Sequence, residues 1–447
     1  MSTPTTFSQK PFTATFRWLQ ACTLSGLLLG TSAAQADSHS WNDWQFSGFA
    51  SFGVGRLNLS DHRYIDYKDG RWGANSDSTL GLQVNKQLTN RWGFAAQAVS
   101  NAYAFQEREP YHPELEWMLL SYEVNANTRL RVGRIRNPFY FYSTTQEVGY
   151  TYLWARPPTS VYSLFFHPFK HLDGGDITYN SAYNGVNYEY QLFGGHTSGH
   201  YEGIEVNVSQ ALGSRITINW PHTSVYFTAE RFKGDATPPD SFKNLSAAFA
   251  TYADVFSADP NIESAFDDTA DAFVSQDQYT NSFSGGLEWN HNDLTLLGEV
   301  FLLRGENRNY SNDSDGFYVS SAYRFAKISP YLVYGEYENR FSGDTQRKIE
   351  KTEALVPANS VGLLGVEGAA QLDQLRAGTK FALDQYNSKQ SSTILGVRYD
   401  FHAKADLKVE VEYFQLLHNG GVFYADDPSK TRPKDAYLVS FVIDVVF

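Results

Sequence analysis

From residue 43 onward the chain alternates apolar and polar positions in segments of about ten residues, separated by turn chemistry. In the last segment Tyr437, Val439, Phe441, Ile443, Val445 and Phe447 share one face of a strand, because side chains alternate across a strand with period two. Sixteen such segments can be drawn, over 43–58, 78–88, 92–104, 114–124, 128–137, 174–181, 186–195, 201–220, 223–232, 281–290, 294–304, 317–326, 330–341, 391–402, 406–418 and 435–447. Tight turns follow the even-numbered strands, as at Thr89-Asn90-Arg91, Asn125-Ala126-Asn127, Tyr183-Asn184-Gly185, Pro221-His222 and His291-Asn292-Asp293. Asn184-Gly185 is a strong hairpin signal. Long connections follow the odd-numbered strands. Short turns on one side and long loops on the other predict an all-β, transmembrane, antiparallel up-and-down barrel of about 16 strands, with both termini in the periplasm and the long loops outside.

Parity assigns faces. Leu407, Val409, Val411 and Tyr413 oppose Lys408, Glu410, Glu412 and Phe414. Thr393, Leu395, Val397, Tyr399 and Phe401 oppose Ile394, Gly396, Arg398, Asp400 and His402. Tyr331, Val333 and Tyr337 oppose Leu332, Tyr334, Glu336 and Glu338, and Val319, Tyr323 and Phe325 oppose Tyr318, Ser320 and Arg324. The charged face is assigned to the lumen. That predicts Arg324 beside Glu336 and Glu338, and Arg398 beside Glu410 and Glu412, as pore-lining pairs or as simple charge balance within the wall. With Glu288 and Glu299 the lumen leans acidic, a weak preference for cations. A soluble sandwich would also carry charge on its outer face, but it needs two facing apolar sheets and shorter strands.

Two insertions break the strand pattern. Residues 233–280 carry Phe242, Leu245, Phe249, Tyr252 and Phe256 at helical spacing, and 342–390 carry a weakly helical stretch around 363–383. A lid over the mouth and packing between extracellular loops both fit them. Asp267, Asp268 and Asp271 lack an EF-hand pattern and read as solvated surface. No metal or other cofactor is expected.

The first 36 residues read as a cleaved export signal. Lys10 and Arg17 precede an apolar run with Leu24, Leu27, Leu28 and Leu29, and Ala34-Gln35-Ala36 is a small-x-small cleavage site. Residues 37–447 are then a single barrel domain. Cleavage removes Cys22, the only cysteine, and takes the formal charge from −13 to −15. An acidic chain without a basic stripe argues against nucleic-acid binding. Aromatic residues make up 16% of the chain, which suits girdles at two membrane interfaces and would also suit a carbohydrate binder.

One segment carries candidate chemistry. Strand five holds Arg129, Arg131, Arg134 and Arg136, and runs into the tyrosine-rich stretch from Asn137 to Tyr150, followed by Trp154 and Arg156-Pro157-Pro158. With the export signal, the strand count, the loop alternation and the terminal Phe447, this resembles the Gram-negative outer-membrane porin family, the 16-stranded general porins in particular. The resemblance implies that the loop over 138–173 folds into the lumen as a constriction. Acids of that loop, here Glu147 and then Asp173 and Asp176 near its end, would face the wall arginines 129, 131, 134 and 136. It also implies a homotrimer in the outer membrane of a Gram-negative bacterium. There it would contact lipid and lipopolysaccharide, with Phe447 as a signal to the barrel-assembly machinery.

The expected function is a passive channel for small hydrophilic solutes and ions. A substrate-selective channel is the near alternative, with Tyr103, Phe105, Tyr140, Tyr142, Tyr152 and Trp154 as a stacking track or, more simply, as interface belt. An outer-membrane enzyme is the alternative of another class. The chain shows no Gly-x-Ser-x-Gly elbow and no His-Glu-x-x-His pair, and His112, His167, His171, His196 and His200 lack zinc-like spacing, so no enzyme activity is expected. A structural or adhesive barrel with a blocked lumen is the third reading. About seven residues between the cleavage site and the first strand leave no room for a plug domain.

Overall fold

A computed structural model describes residues 44–68, 70–102, 111–162, 169–201, 204–274, 277–306, 312–356, 360–418, 423–425 and 433–447. The leader over 1–36, together with Tyr103, Phe105 and His167, lies outside the described residues.

Sixteen antiparallel strands close on themselves. They are β1 (Trp44–Leu57), β2 (Thr79–Gln87), β3 (Trp92–Asn101), β4 (Glu114–Asn125), β5 (Thr128–Arg136), β6 (His171–Tyr183), β7 (Val186–Tyr201) and β8 (Ile204–Asn219). Then come β9 (Thr223–Ala236), β10 (Gln278–His291), β11 (Leu294–Gly305), β12 (Asn312–Tyr323), β13 (Ile328–Phe341), β14 (Ser388–His402), β15 (Ala405–His418) and β16 (Asp435–Val446). Each strand pairs with its sequence neighbour. β1 completes the ring, pairing with β2 over Trp44 to Ser51 and with β16 over Phe49 to Leu57. Closure leaves no free edge strand, so every wall strand has a partner on both sides. Phe447 finishes the seam. Its backbone N–H donates to Gly48 O at 2.9 Å, and its carbonyl accepts from Gly48 N at 2.8 Å.

The alternation decides which side chains go out. On β16, Ala436, Leu438, Ser440, Val442 and Asp444 are buried inside, while Tyr437, Phe441, Ile443, Val445 and the terminal Phe447 are exposed outside. The same exposed apolar parity recurs around the ring at Leu82, Val132, Leu212, Val319 and Leu395. Aromatic pairs sit near the tight turns, with Trp92 against Tyr122 at 4.8 Å and Tyr323 against Phe325 at 4.7 Å between ring centroids. An apolar outer band ending in aromatic rings is what a lipid bilayer requires of a barrel.

Two sequence expectations change here. The connection after β7 is short, because β7 and β8 run on to Tyr201 and from Ile204 as one long hairpin. On β13 the faces are exchanged. Tyr331, Val333 and Tyr337 are buried inside, and Leu332, Tyr334, Glu336 and Glu338 face out. The inner wall there is apolar because the loop described below packs on it.

The two insertions are helical and pack on each other. α1 (Asp240–Val255) and α2 (Pro260–Asp271) follow β9, and α3 (Gly343–Leu355) and α4 (Ser360–Tyr386, kinked at Gly365) follow β13. α2 starts at an Asp259 cap with Pro260 in the first turn, and the Ser342 hydroxyl caps α3 by accepting from Thr345 N. Phe242, Phe249, Phe266, Ile349, Leu372 and Leu375 form their shared core. Phe341 and Tyr386, 4.7 Å apart, join that core to the end of β13.

Candidate functional site: the lumen

The segment after β5 turns into the barrel and crosses it. Asn137 donates its amide to Glu230 at 3.1 Å, and Pro138 O accepts from Arg215 Nη1 at 2.8 Å. Phe141 N donates to Glu299 at 2.7 Å. Glu299 also accepts the hydroxyls of Tyr162, Tyr226 and Tyr318 at 2.6 to 2.7 Å, so one buried carboxylate ties both limbs of the segment to β9, β11 and β12. Such a carboxylate is tolerated because four donors replace its water.

Further along, Trp154 Nε1 donates to Ser320 at 3.1 Å and Ala155 N to Glu410 at 3.0 Å. Arg398 Nη1 donates to Tyr150 O and Tyr152 O at 3.0 and 2.8 Å, and Lys408 Nζ to Gly149 O at 2.6 Å. Gly149 lies so close to Asp444 and Ser51 that a β-carbon there would collide with both.

Arg156 is the centre of the contact. It holds Asp77 through Nε and Nη2 at 2.9 and 2.6 Å, Glu410 and Glu412 through Nη1 at 3.4 and 3.3 Å, and Ser440 at 2.5 Å. Burial, the largest single influence, lowers the pKa of its guanidinium, but Asp77, Tyr67 and Glu410 together outweigh burial and raise the pKa well above the usual arginine value. Tyr67 donates to the same Asp77 at 2.6 Å. Its hydroxyl is pushed upward by burial first and by Asp77 second, so it remains a donor. The aromatic side chains of the segment complete the packing. Tyr140, Tyr152, Trp154 and Tyr162 form one buried cluster with Tyr64, Phe301, Tyr318, Tyr331 and Phe414.

The segment therefore fills the side of the lumen formed by β11 to β16. The other side stays open as a cavity of about 410 Å³ between Tyr140–Thr145 and the inner faces of β4 to β10, reaching Asn127, Asn180 and Asn219 near the tight turns.

Arg129, Arg131 and Arg136 line that cavity. Arg131 is bound to Asp176 at 2.8 Å. Arg136 is bound to Glu116 at 2.8 Å and lies 3.6 Å from Glu147, so the first acid of the segment does meet a wall arginine. Lys170 closes this group against Glu116 at 2.5 Å. Arg134 and Asp173 pair at 2.7 Å, but Arg134 shares the outward parity of Leu130 and Val132, and the pair is partly exposed on the outer side. They do not line the cavity. Arg324 follows β12 at the tight-turn end and meets Asp400 at 3.4 Å. Glu338 faces out and pairs with Lys389 at 3.2 Å, so the expected contacts of Arg324 with Glu336 and Glu338 do not form. Arg398 binds Asp406 at 3.0 Å, and its Cα partner is Lys408, which leaves Glu410 and Glu412 to Arg156. Of the acids behind the expected cation preference, Glu336 and Glu338 face out, Glu299, Glu410 and Glu412 are covered by the segment, and Glu288 lines the cavity.

Sequence reasoning passed over Asp77, Glu230, Asp406 and Asp444, and gave Arg156 and Lys408 no partners. Arg156 left a signal, since it is the one charge in the aromatic run from Tyr150 to Tyr162, and a charge in a buried run needs carboxylate partners. Among the described residues no group of histidine, cysteine and acidic side chains is arranged to hold a metal ion.

No protein-family model matches the chain, and no curated protein matches it in sequence. Solved structures do match it in shape. An anion-selective porin from Comamonas acidovorans is 11% identical with a TM-score of 0.51, over 90% of this chain and 99% of that one. OmpF of Salmonella typhi, solved with daunomycin, is 12% identical with a TM-score of 0.51, over 91% and 99%. The outer membrane channel DcaP of Acinetobacter baumannii is 12% identical with a TM-score of 0.50, over 90% and 97%. At these identities the likeness is one of fold, and the fold is that of a general-porin-like barrel.

Proposed function

We propose that the chain is an outer-membrane channel for small hydrophilic solutes, exported with its leader and acting without a cofactor or a catalytic step. The observation that carries this reading is the lumen itself. An apolar outer face suits lipid, and the inward segment, though it touches β8 to β10, leaves open a cavity lined by arginine, asparagine and threonine side chains of β5 to β8. Solutes that fit such a path need no chemistry, only water and a size limit. The filled β11–β16 side narrows the path and favours selection among solutes over free diffusion. The homotrimer, the contacts with lipopolysaccharide and the recognition of Phe447 by the barrel-assembly machinery belong to the same proposal.

The test is swelling of liposomes that contain the refolded barrel over 37–447. Entry of small sugars and amino acids at rates that fall with solute size supports a channel. A correctly folded barrel that admits none of them is a structural or adhesive barrel, and the channel reading fails.

A further inference from the structure

The open wall of the cavity carries charges for which no salt bridge forms among the described residues. Arg129, Thr178, Gln191 and Arg215 are Cα partners in sequence across β5, β6, β7 and β8, so they form one continuous row. The next inward row towards the tight turns is Asn180, Glu189 and Thr217. Both rows line the cavity. Successive inward positions on a strand are about 7 Å apart.

The other arginines of the lumen are neutralised. Arg131, Arg136, Arg156 and Arg398 each sit within 3.0 Å of a carboxylate. The Arg129 side chain forms no hydrogen bond or ion pair with any described residue, and its buried Nε has no acceptor. Arg215 gives Nη1 to the carbonyls of Pro138 and Tyr140 and Nε to Thr217, and stacks 4.0 Å over Tyr226, with no carboxylate within salt-bridge distance. The Glu189 side chain likewise has no hydrogen bond or ion pair among the described residues, yet lies within electrostatic reach of both arginines. Half-buried charges of both signs are thus held in adjacent rows and do not bridge. A solute that carries both signs would satisfy them together, whereas a simple anion meets Glu189 and a simple cation meets the arginines.

We propose that these two rows form a binding subsite for small zwitterions, amino acids and short peptides. The carboxylate lies along the Arg129–Gln191–Arg215 row and the ammonium group points to Glu189. This rests on the channel reading and names its substrate class.

Isothermal titration of the refolded barrel with L-alanyl-L-alanine, propionate and propylamine tests it. The dipeptide is expected to bind at least tenfold more tightly than either single-charge probe. Arg129→Met should weaken dipeptide binding at least tenfold. Glu189→Gln should do the same and also tighten propionate. Heat-dependent migration on gels shows that each variant is a folded barrel. Propionate binding as well as the dipeptide, with Glu189→Gln changing neither, overturns the zwitterion assignment, and so does a lack of binding by all three probes. Conductance of the same preparation separates the two readings. A conducting barrel that ignores the dipeptide overturns the subsite alone, and a folded barrel that does not conduct overturns the channel.

Discussion

Replacing Arg156 with alanine removes one cation from among three buried carboxylates, Asp77, Glu410 and Glu412. These acids come from the loop before β2 and from β15, so they stay in the wall when the side chain is lost. Removing one partner of a buried ion pair costs about 3–5 kcal/mol, mostly because the remaining charge is left uncompensated. At 1.4 kcal/mol per tenfold, that lowers the ratio of docked to undocked segment by a factor of about a hundred to a few thousand. The barrel itself should survive, because strand pairing does not involve Arg156. The limb near Glu299 should stay docked, because Phe141 and Tyr162 still donate to it. The stretch around Gly149 to Ser160 should come away from β14, β15 and β16. Single-channel recording should then give a larger and noisier conductance, and limited proteolysis should cut within that stretch. Adding Glu412→Gln should recover part of the wild-type behaviour by removing one orphaned charge. If Arg156→Ala matches wild type in conductance, noise and protease resistance, Arg156 does not hold the segment and the reasoning is wrong.

The other expectations follow from single contacts. Gly149→Val should drive the segment off β16, since its side chain would occupy the space of Asp444 and Ser51, and conductance noise should rise as in Arg156→Ala. Leu395→Arg puts a cation on a side chain that is 64% exposed on the outer face. If that face meets lipid near the bilayer midplane, urea titration in vesicles should show a loss of about 2–4 kcal/mol, while a soluble surface would show almost none. Phe447→Ala keeps the backbone bonds to Gly48, so refolding in detergent should be close to normal while assembly in cells falls, read as less barrel in the outer-membrane fraction.

Most of the fold was legible because period-two alternation survives wherever one face meets lipid. The faces of β12, β14, β15 and β16 follow from parity once the charged side is taken as the inner one. That rule failed on β13, whose inner residues Tyr331, Val333 and Tyr337 are apolar because they receive the aromatic segment. Parity cannot separate lipid from a packed lumen when both are apolar. Arg134 was misplaced because strand five was read as one basic ladder: Arg134 shares the parity of Leu130 and Val132, which face out, whereas Arg129 and Arg131 face in. Of the insertion helices, α1 was visible in the spacing from Phe242 to Phe256 and α4 in the weakly helical stretch over 363–383, while α2 and α3 were not. Nor were the ion pairs of the lumen, because they depend on register. Arg398 faces Lys408, with Asp406 and Glu410 each two residues away on opposite sides, and it meets Asp406.

The most direct test of the account places a single thiol on the proposed path. The barrel over 37–447 has no cysteine, so Thr217→Cys, inside the cavity, and Leu212→Cys, 71% exposed on the outer face of the same strand, each carry one. In a planar bilayer both should give stable steps of conductance. A bulky hydrophilic thiol reagent added on the tight-turn side should lower the steps of Thr217→Cys and leave those of Leu212→Cys unchanged. Steps that ignore the reagent in Thr217→Cys, or a folded barrel with no steps at all, would contradict the claim that solutes pass beside the β4–β10 wall.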